Sequence, residues 1–357
     1  MQRKETYCVA VLGATGAVGR KMIDTLERRG FPVGELRLLA SPRSAGTTLP
    51  FRGQSVPVEA VSASAFDGVD IALFSAGAAA SRTYAPLAVE RGAVVIDNSS
   101  AFRLDPDVPL VVPEVNPQAA GEHKGIIANP NCSTIQLVVA VKPLVDFGLE
   151  RITVTTYQAV SGMGQKAIDA LSQELEAGPS DVKKTLFPVQ GQSATHPMAF
   201  NVLPQCDVFV EDGYTREEMK LVNESRKILS MPQLKVSPTA VRVPVLYGHA
   251  EAVELRFRVP VTPEQVRERL AHAKGVVVVD NPSEGVYPHP RMAAGTGETY
   301  VGRIRRSLAD DRSILMFVVA DNLLKGAAWN AVQIAELLVG LDPNRSVREQ
   351  VAEAPLS

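Results

Sequence analysis

The first third of the chain alternates short apolar runs with amphipathic segments. Residues 7–12 (YCVAVL) form the first run, and RKMIDTLERRG, after a glycine-rich turn, has the apolar spacing of a helix that ends at Gly30. Further strand-like runs occupy residues 35–40, 69–76, 93–99 and 124–130, and helical segments such as SRTYAPLAVERG separate several of them. Strands that alternate with helices predict a parallel, doubly wound α/β sheet.

From about residue 148 onward, apolar and polar residues alternate over long stretches. RITVTTYQAV, TAVRVPVL, HAEAVELRFRV, ETYVGRIRRS and SILMFVVAD show this period of two, which predicts strands with one buried face. Helices are predicted at roughly 164–176, 215–229 and 263–273, the last with Thr262 as its N-cap and Pro263 in its first turn. Together these elements predict an α+β domain.

The two patterns divide the chain into two predicted domains. Residues 1–131 form the first, and a C-terminal helix within about residues 326–357 (KGAAWNAVQIAELLVG) is expected to pack back onto it. Residues 132–325 form the second domain. The length of 357 residues agrees with this division, because it exceeds what one hydrophobic core usually supports.

Composition excludes several classes of protein. An apolar fraction of 45%, a charged fraction of 21% and a net charge of −2 without a basic stripe make nucleic acid an unexpected partner. No run of 18 uncharged apolar residues occurs, and the apolar segment near the N-terminus enters the glycine-rich turn without a cleavage-like site. Neither a membrane span nor a signal peptide is therefore predicted. Cys8, Cys132 and Cys206 are too few and too dispersed for a disulfide framework or a metal site, so a reducing cytoplasm is expected.

The glycine-rich turn GATGAVG lies between the first strand and the first helix. Its three glycines let the backbone turn tightly and let a diphosphate approach the free N–H groups of the helix N-terminus. The spacing GxxGxxG is a variant of the dinucleotide-binding fingerprint of Rossmann-type domains, and a turn that merely needs small residues is the alternative. The candidate cofactor contacts are Gly13, Thr15, Gly16, Ala17 and Val18.

The segment after the second predicted strand bears on the choice of dinucleotide. An NAD site usually has a carboxylate there for the ribose 2′-hydroxyl, whereas this chain reads LLASPRSAG, with Arg43 and Ser44 and no acid. A cation and hydroxyl groups suit a 2′-phosphate, which favours NADP. A solvated loop arginine is the alternative interpretation.

Cys132, in NPNCST, follows a predicted strand and opens a predicted helix. The positive end of the helix dipole would lower the thiol pKa below its free value of about 8.5, which prepares a nucleophile. The alternative is a buried structural cysteine, the usual fate of a lone thiol. The polar neighbours Asn131 and Ser133 favour the reactive interpretation, whereas Cys8, inside the first strand, is interpreted as structural.

A reactive thiol needs a proton shuttle, and the chain has five histidines. His249 lies in RVPVLYGHAEA, at a turn between two predicted strands and seven residues after Arg242. Catalytic groups concentrate at such loop ends on rigid strands, so His249 is the first candidate for the base. The others lie in loops or on a charged helix and are expected to have no catalytic role: His123, His196, His272 and His289.

Taken together, the motifs resemble the aspartate-β-semialdehyde dehydrogenase family. GATGAVG, NSSAFR, NPNCST, TYQAVSGMG, EEMK and RVPVLYGH occur in that family's order, and DNLLKGAAWNAVQ is similar to its tail. The resemblance extends from about residue 7 to residue 340 and is therefore more specific than any single motif.

The resemblance implies a set of catalytic roles. Cys132 would attack the substrate carbonyl and form a thioester, and His249 would be the acid/base catalyst. Gln158 would orient the intermediate, and Asn131 belongs to the same group beside the nucleophile. The residues expected at the nicotinamide end of the cofactor are Ser161, Gly162 and Asn322.

The resemblance also implies the substrate contacts. Arg103 and Lys220 would hold phosphate, Arg242 the substrate carboxylate, and Glu217 the substrate amino group. A guanidinium suits both carboxylate and phosphate, and an ammonium needs an anion. Without the resemblance, Glu217 and Lys220 are an ordinary i,i+3 pair on a solvated helix face.

The implied activity is the NADPH-dependent reductive dephosphorylation of L-aspartyl-4-phosphate to L-aspartate-4-semialdehyde, which serves lysine, threonine, methionine and diaminopimelate biosynthesis. The family implies a homodimer through the second domain, with a tetramer as the alternative. N-acetyl-γ-glutamyl-phosphate reductase shares the scheme, but glycine and tyrosine flank its cysteine and its substrate has no free amine for Glu217. A catalytically silent nucleotide-binding protein would leave the joint presence of Cys132 and His249 unexplained, and a Cys–His hydrolase would leave GATGAVG unexplained.

Overall fold

The computed structural model describes residues 3–179, 186–189 and 194–345. It divides into two compact units. One contains the described residues as far as Pro130 together with those from Ala327 onward, and the other runs from Asn131 to Gly326. The predicted terminal segment 326–357 extends past residue 345, so its last part lies outside the described residues.

Thirteen strands and eight α-helices make up the regular structure of the described chain. The strands are β1 (Tyr7–Leu12), β2 (Val33–Ala40), β3 (Thr48–Phe51), β4 (Gln54–Ala60), β5 (Ile71–Phe74), β6 (Val94–Asp97), β7 (Ile126–Ala128), β8 (Leu149–Gln158), β9 (Lys235–Arg242), β10 (His249–Phe257), β11 (Val276–Val278), β12 (Thr299–Arg306) and β13 (Ser313–Ala320). The helices are α1 (Ala17–Arg28), α2 (Ala78–Glu90), α3 (Cys132–Val141), α4 (Gln165–Ala177), α5 (Arg216–Ile228), α6 (Pro263–Ala271), α7 (Pro290–Ala293) and α8 (Trp329–Leu338). None of these helices is long and apolar enough to cross a membrane.

The first unit is a doubly wound α/β layer structure, as the alternation of strands and helices predicts. Its sheet has the order β3-β4-β2-β1-β5-β6-β7, and every pair except β3–β4 is parallel. Strand β1 shows the two faces, because Val9 and Val11 join the core cluster that contains α1 and α8, whereas Ala10 and Leu12 join the cluster that contains α2. Both faces of the sheet are therefore covered by helices.

The predicted parallel sheet has one antiparallel pair at its edge, where β3 and β4 form a hairpin. The turn residues Arg52 and Gly53 both have positive φ, at 48° and 74°, which is typical of a two-residue hairpin turn. Pro50 lies within β3 and Pro57 within β4, and most side chains of these two strands are exposed. The hairpin has no continuous apolar run for this reason, and its sequence gives little indication of strands.

The second unit is built on a six-stranded mixed sheet of order β11-β12-β13-β10-β8-β9. The β8–β9 and β11–β12 pairs are parallel and the others are antiparallel. In β8 the even-numbered residues from Ile152 to Gln158 are buried, while the odd-numbered ones from Arg151 to Tyr157 are half-buried or exposed. The period-two pattern thus predicted one buried face correctly, and this unit has the expected α+β architecture.

Candidate active site

Cys132 is the first residue of α3, as its sequence context predicted. Asn131 is the N-cap, and its Oδ1 accepts hydrogen bonds from the backbone N–H groups of Ser133 at 3.1 Å and Thr134 at 3.3 Å. The partly buried sulfur therefore lies at the positive end of a ten-residue helix. Gly326 packs against it so closely that a Cβ at position 326 would lie 2.8 Å from the Cβ of Cys132.

Two carboxylates of α5 hold the cap residue in place. The Nδ2 of Asn131 donates to Glu217 Oε1 at 2.9 Å, and its backbone N–H donates to Glu224 Oε2 at 2.7 Å. Glu217 and Glu224 are seven residues apart on one helix, which places them on the same face. The start of the cysteine helix is thereby attached to α5 through one residue.

Glu217 is also the centre of a larger buried network. Gln158 Nε2 donates to its Oε1 at 3.1 Å, and Lys220 Nζ donates to its Oε2 at 2.8 Å. Burial alone would raise the pKa of Glu217, but the Lys220 ammonium and the hydrogen bonds from Lys220, Asn131 and Gln158 outweigh burial and lower it to about 2. Glu217 is therefore a carboxylate at any physiological pH, and the interpretation as a solvated helix face is excluded.

Lys220 has a second carboxylate partner that the sequence analysis did not identify. Its Nζ lies 3.0 Å from Asp207 Oδ2, and Asp207 itself has a left-handed backbone conformation with φ of 67°. Burial lowers the pKa of Lys220, but Glu217 and Asp207 together raise it above its usual value. The ammonium is therefore fixed between two anions.

His249 begins β10 and is fully buried. Its Nδ1 accepts a hydrogen bond from the backbone N–H of Ala159 at 3.0 Å, so the proton of the neutral ring resides on Nε2. Burial and the nearby Arg242 guanidinium lower the pKa of His249 to about 3, against the opposing effect of Glu217. Gln158 Nε2 lies 3.4 Å from His249 Nε2, so the ring donor faces the same network.

Arg242, at the end of β9, shares Ala159 with the histidine. Its Nη1 donates to the Ala159 carbonyl at 3.0 Å, while its Nε has no hydrogen-bond partner within the described part of the chain. A Cβ at Gly162 would lie 3.3 Å from Arg242 Nη1 and 3.4 Å from His249 Nε2. The absence of a side chain at Gly162 thus leaves the space beside both groups open.

Asn322 has internal partners in this unit. Its Oδ1 accepts from the backbone N–H of Gly248 at 2.9 Å, and its Nδ2 donates to Ser161 Oγ at 3.0 Å. Gly248 directly precedes His249 and has φ of 87°, and a Cβ there would lie 2.9 Å from the Pro290 carbonyl oxygen. Asn322 therefore ties the Ser161 loop to the turn that presents the histidine.

Arg103 belongs to the first unit and is almost fully buried there. Its Nε donates to the Asn129 carbonyl at 2.9 Å and its Nη2 to the Asn98 carbonyl at 2.9 Å. Two backbone acceptors thus orient the guanidinium.

The glycine-rich turn of the first unit has the features that a dinucleotide diphosphate requires. Gly13 has φ of 85°, and a Cβ there would lie 2.5 Å from the Ser75 carbonyl oxygen, so the turn needs glycine. Gly16 is the N-cap of α1 and supplies no side-chain cap, which leaves the first-turn N–H groups at Ala17 and Val18 available to a ligand. Thr15 lies between Gly13 and Gly16 in the chain and is partly exposed.

Arg43 and Ser44 lie in the turn that follows β2 in the same unit. Ser44 N–H donates to the Ser41 carbonyl at 2.9 Å, and Arg43 is exposed. Strand β2 neighbours β1, so both residues follow the carboxyl end of the strand next to the glycine turn. A cation at this place fits a 2′-phosphate.

The other thiols do not share the setting of Cys132. Burial raises the pKa of Cys8 to about 11 and that of Cys206 to about 12. No group of three or more histidine, cysteine, aspartate or glutamate side chains suited to a metal ion occurs among the described residues. The candidate reactive groups of the second unit are therefore the Cys132 thiol, the His249 imidazole and the buried ion network around Glu217.

Two family models match the chain. The model described as semialdehyde dehydrogenase, NAD binding domain, matches residues 8–123, and that described as semialdehyde dehydrogenase, dimerisation domain, matches residues 141–325. The aspartate-semialdehyde dehydrogenase of Aquifex aeolicus is 53% identical over 340 residues, which cover 93% of this chain and 98% of the relative. The Bacillus subtilis enzyme of the same name is 50% identical, with coverage of 94% and 98%. The chain belongs to the aspartate-semialdehyde dehydrogenase family.

Solved structures of this family have the same fold. Aspartate semialdehyde dehydrogenase II from Vibrio cholerae, complexed with ASA, matches with a TM-score of 0.87 at 48% identity and covers 94% of this chain and 99% of its own. Aspartate semialdehyde dehydrogenase from Candida albicans, solved with NADP, matches with a TM-score of 0.71 at 27% identity, with coverage of 93% and 98%. The resemblance inferred from the motifs is confirmed.

Sequence reasoning missed several groups that the structure places in this network: Asp207, Glu224, Ala159 and Gly326. Ala159 acts through its backbone N–H and carbonyl, and Gly326 through the lack of a side chain, so neither residue type signals a role. Asp207 and Glu224 are ordinary acids in charged segments. Glu224 follows Glu217 by two helical turns, and this spacing was the one available signal.

Proposed function

We propose that the protein catalyses the NADPH-dependent reductive dephosphorylation of L-aspartyl-4-phosphate to L-aspartate-4-semialdehyde, through a thioester on Cys132. The observation that carries the proposal is the shared carboxylate of Glu217, which joins the cap of the cysteine helix to Gln158 and Lys220. A nucleophile, an orienting amide and a cation are thus held by one buried anion. Covalent catalysis of this kind divides one difficult reduction into two easier steps.

In the first step the Cys132 sulfur attacks the acyl carbon, the C–S bond forms, and the C–O bond to phosphate breaks. The helix N-terminus favours the thiolate form of the nucleophile. Lys220 and Arg103 are the proposed partners of the departing phosphate. Lys220 must exchange part of its contact with Asp207 or Glu217 for the phosphate oxygens.

The substrate is oriented at its α-carbon end by Arg242 and Glu217. Arg242 has an unpartnered buried Nε and can bind the carboxylate in a fork. Glu217 receives three hydrogen bonds from side chains, and a carboxylate offers about four lone-pair positions, so one remains for the substrate ammonium. This site suits a free α-amino acid better than an N-acylated one.

The cofactor is proposed to bind at the glycine turn, with Gly13, Thr15, Gly16, Ala17 and Val18 on its diphosphate and Arg43 and Ser44 on the 2′-phosphate. When bound, the reduced nicotinamide supplies the hydride. Ser161, Gly162 and Asn322 remain the residues proposed at the nicotinamide end. Support comes from the NAD binding domain model and from the solved relative that holds NADP.

His249 is proposed to act first as a donor. The neutral ring carries its proton on Nε2, and the Ala159 N–H opposes a second proton on Nδ1. A hydrogen bond from Nε2 would stabilise negative charge on the substrate oxygen, as neutral imidazoles do in other enzymes. Collapse of the tetrahedral adduct then breaks the C–S bond, releases the aldehyde, and returns the thiolate to the α3 N-terminus.

The assembly proposed for this chain is a homodimer through residues 141–325, because a dimerisation-domain model matches that range. A tetramer would require a second contact and is the finer alternative. A cytoplasmic location follows from the proposed biosynthetic role, with no part for nucleic acid or membrane.

The proposal is tested by phosphate-dependent oxidation of L-aspartate-4-semialdehyde, with NADP and NAD measured side by side. NADP should be the better substrate, and Cys132→Ala should abolish nucleotide reduction. Cys8→Ala, which removes a thiol from the first unit, is the matched control and should keep activity. Activity of Cys132→Ala near that of the wild type would remove the nucleophile assignment, and turnover only with N-acetyl-γ-glutamyl phosphate would change the substrate.

A further inference from the structure

Asn129 directly follows β7 and lies three residues before Cys132 in the chain. Its side chain is fully buried in the first unit, where its amide bonds to three separate segments. Nδ2 donates to Asn98 Oδ1 at 2.5 Å and to the Ala327 carbonyl at 3.1 Å, and Oδ1 accepts from Asn330 Nδ2 at 2.7 Å. An amide nitrogen has two N–H donors, so both are used and the conformation of Asn129 is restricted on three sides.

Asn129 also contacts Arg103, through its backbone. Arg103 Nε donates to the Asn129 carbonyl and Arg103 Nη2 to the Asn98 carbonyl, each at 2.9 Å. The two residues that accept from the guanidinium are therefore the same two that the Asn98–Asn129 side-chain hydrogen bond joins. Because the donors of a guanidinium form a rigid planar fork, the spacing of the two carbonyl oxygens sets the orientation of Arg103.

Regular pairing of β6 with β7 ends just before these two residues. The last paired residues are Asp97 and Ala128, and the Asn129 N–H still donates to the Asp97 carbonyl at 2.8 Å. Past this bond, the Asn98–Asn129 side-chain hydrogen bond continues the connection between the two segments. The amide of Asn129 therefore holds together the two chain segments whose carbonyls receive Arg103.

We propose that Asn129 is a positioning residue for phosphate binding, because its amide fixes the two carbonyls that orient Arg103. The inference rests on the function proposed above, in which Arg103 holds phosphate. Displacement of a binding group by about 1 Å can lower activity by up to about 100-fold, so loss of the amide should weaken phosphate binding although no charge is removed. A purely structural amide would instead affect stability and would not act on phosphate selectively.

The test uses initial rates of phosphate-dependent oxidation of L-aspartate-4-semialdehyde at saturating NADP, which yield separate KM values for phosphate and for the semialdehyde. Asn129→Ala is compared with the wild type, with Arg103→Gln and with the double variant. Asn98→Ala removes the same side-chain hydrogen bond from its half-buried partner, and it decides the question if Asn129→Ala does not fold. The control is Asn116→Ala, which removes another buried, hydrogen-bonded amide of the first unit.

Asn129→Ala and Asn98→Ala should each raise the KM for phosphate by about three- to tenfold, the effect of one lost hydrogen bond, and change the KM for the semialdehyde by less than about twofold. The double variant should have the KM for phosphate of Arg103→Gln alone, because effects that act through one group are not additive. Asn116→Ala should have the wild-type KM for phosphate.

An unchanged KM for phosphate in either folded variant, Asn129→Ala or Asn98→Ala, would overturn the inference, as would a double variant in which the two effects multiply. If Arg103→Gln raises this KM and the asparagine variants do not, the proposed phosphate contact stands and only the role of Asn129 is removed. If Arg103→Gln itself leaves the KM unchanged, the proposed phosphate contact fails, and the inference fails with it.

Discussion

Glu217 Oε1 accepts a hydrogen bond from Asn131 Nδ2 at 2.9 Å, so a carboxylate of α5 holds the residue that caps the helix of Cys132. The same carboxylate binds Gln158 and Lys220. Loss of its charge should therefore disturb Asn131, Gln158 and Lys220 at once, and with them the proposed nucleophile, orienting amide and phosphate ligand. Each side chain of this network has partners within the network, which restrict its conformation before substrate binds.

Glu217→Gln should lower kcat/KM by about 10- to 100-fold, because hydrogen bonds to a charged group contribute about 1.5–3 kcal/mol. The neutral amide can accept from one neighbour but places an NH₂ group against another donor. Steady-state kinetics with L-aspartate-4-semialdehyde measures the change. Glu176→Gln, on the exposed side of α4, is the control and should have wild-type kinetics. Equal values for the two variants would remove Glu217 from the centre of the site.

Asp207→Asn should lower the KM for phosphate by about fivefold, since a partly exposed ion pair contributes about 1 kcal/mol. In the proposed role of Lys220 as a phosphate ligand, Asp207 would compete with phosphate for the ammonium, and a neutral replacement would weaken that competition. The value of kcat should change much less than the KM. Initial rates at varied phosphate and ionic strength measure both quantities. A higher KM for phosphate would instead show that Asp207 is needed to place Lys220.

His249 should stay neutral from pH 8 down to about pH 4, because its pKa is lowered to about 3 by burial and by Arg242. The unfolded ring binds a proton near pH 6.5, so His249 reduces the free energy of unfolding as the pH falls from 6.5 towards 3. The slope is at most about 1.4 kcal/mol per pH unit. Nitrogen-15 NMR of the ring should show a neutral imidazole with its proton on Nε2 from pH 8 down to about pH 4.

The variant His249→Gln should flatten this acid slope in urea unfolding between pH 6.5 and pH 4. His272→Gln, which removes an exposed ring, is the matched control. A ring that titrates near pH 6.5 in the folded protein would contradict the assignment of a neutral donor.

Gly326→Ala should slow alkylation of Cys132 and lower kcat/KM by at least about fivefold, as overpacking by one methyl group costs about 1–3 kcal/mol. The added Cβ would lie 2.8 Å from the Cβ of Cys132, so the cysteine or the turn must move. Iodoacetamide modification followed by mass spectrometry measures reactivity at position 132. Gly121→Ala has open space around its Cβ and is the control. Unchanged reactivity would mean that the segment around Gly326 adjusts freely.

Glu251→Gln should stabilise the protein above neutral pH. Burial raises the pKa of Glu251 well above its usual value, only partly offset by the Gln136 amide, and neither carboxylate oxygen has a well-formed hydrogen bond among the described residues. The folded state therefore holds a proton that the unfolded state releases, so wild-type stability falls as pH rises above about 4.5, by at most about 1.4 kcal/mol per unit. Urea unfolding at pH 5, 7 and 8 should show an advantage of the variant that grows with pH. A constant difference would contradict a protonated Glu251.

The hydrophobic pattern of the sequence predicts much of the fold. Continuous apolar runs predicted the parallel strands, and the period-two alternation predicted the second sheet, because burial on two faces or one leaves different sequence patterns. The β3–β4 hairpin was missed since most of its side chains are exposed and its strands contain Pro50 and Pro57. Strand β4 also pairs with β2, and no local pattern records this contact.

The sequence by itself determined that one unit has a doubly wound parallel sheet and that the other has strands with one buried face. It also determined the helix that begins at Cys132 and the family, because all of these depend on local pattern and on the order of motifs. Only the tertiary structure decided that Glu217 is a buried carboxylate, that His249 carries its proton on Nε2, and that Asp207 shares Lys220. Charge state and tautomer depend on what surrounds a group within a few ångströms. Residues distant in the chain supply those surroundings, and the chain must fold before they meet.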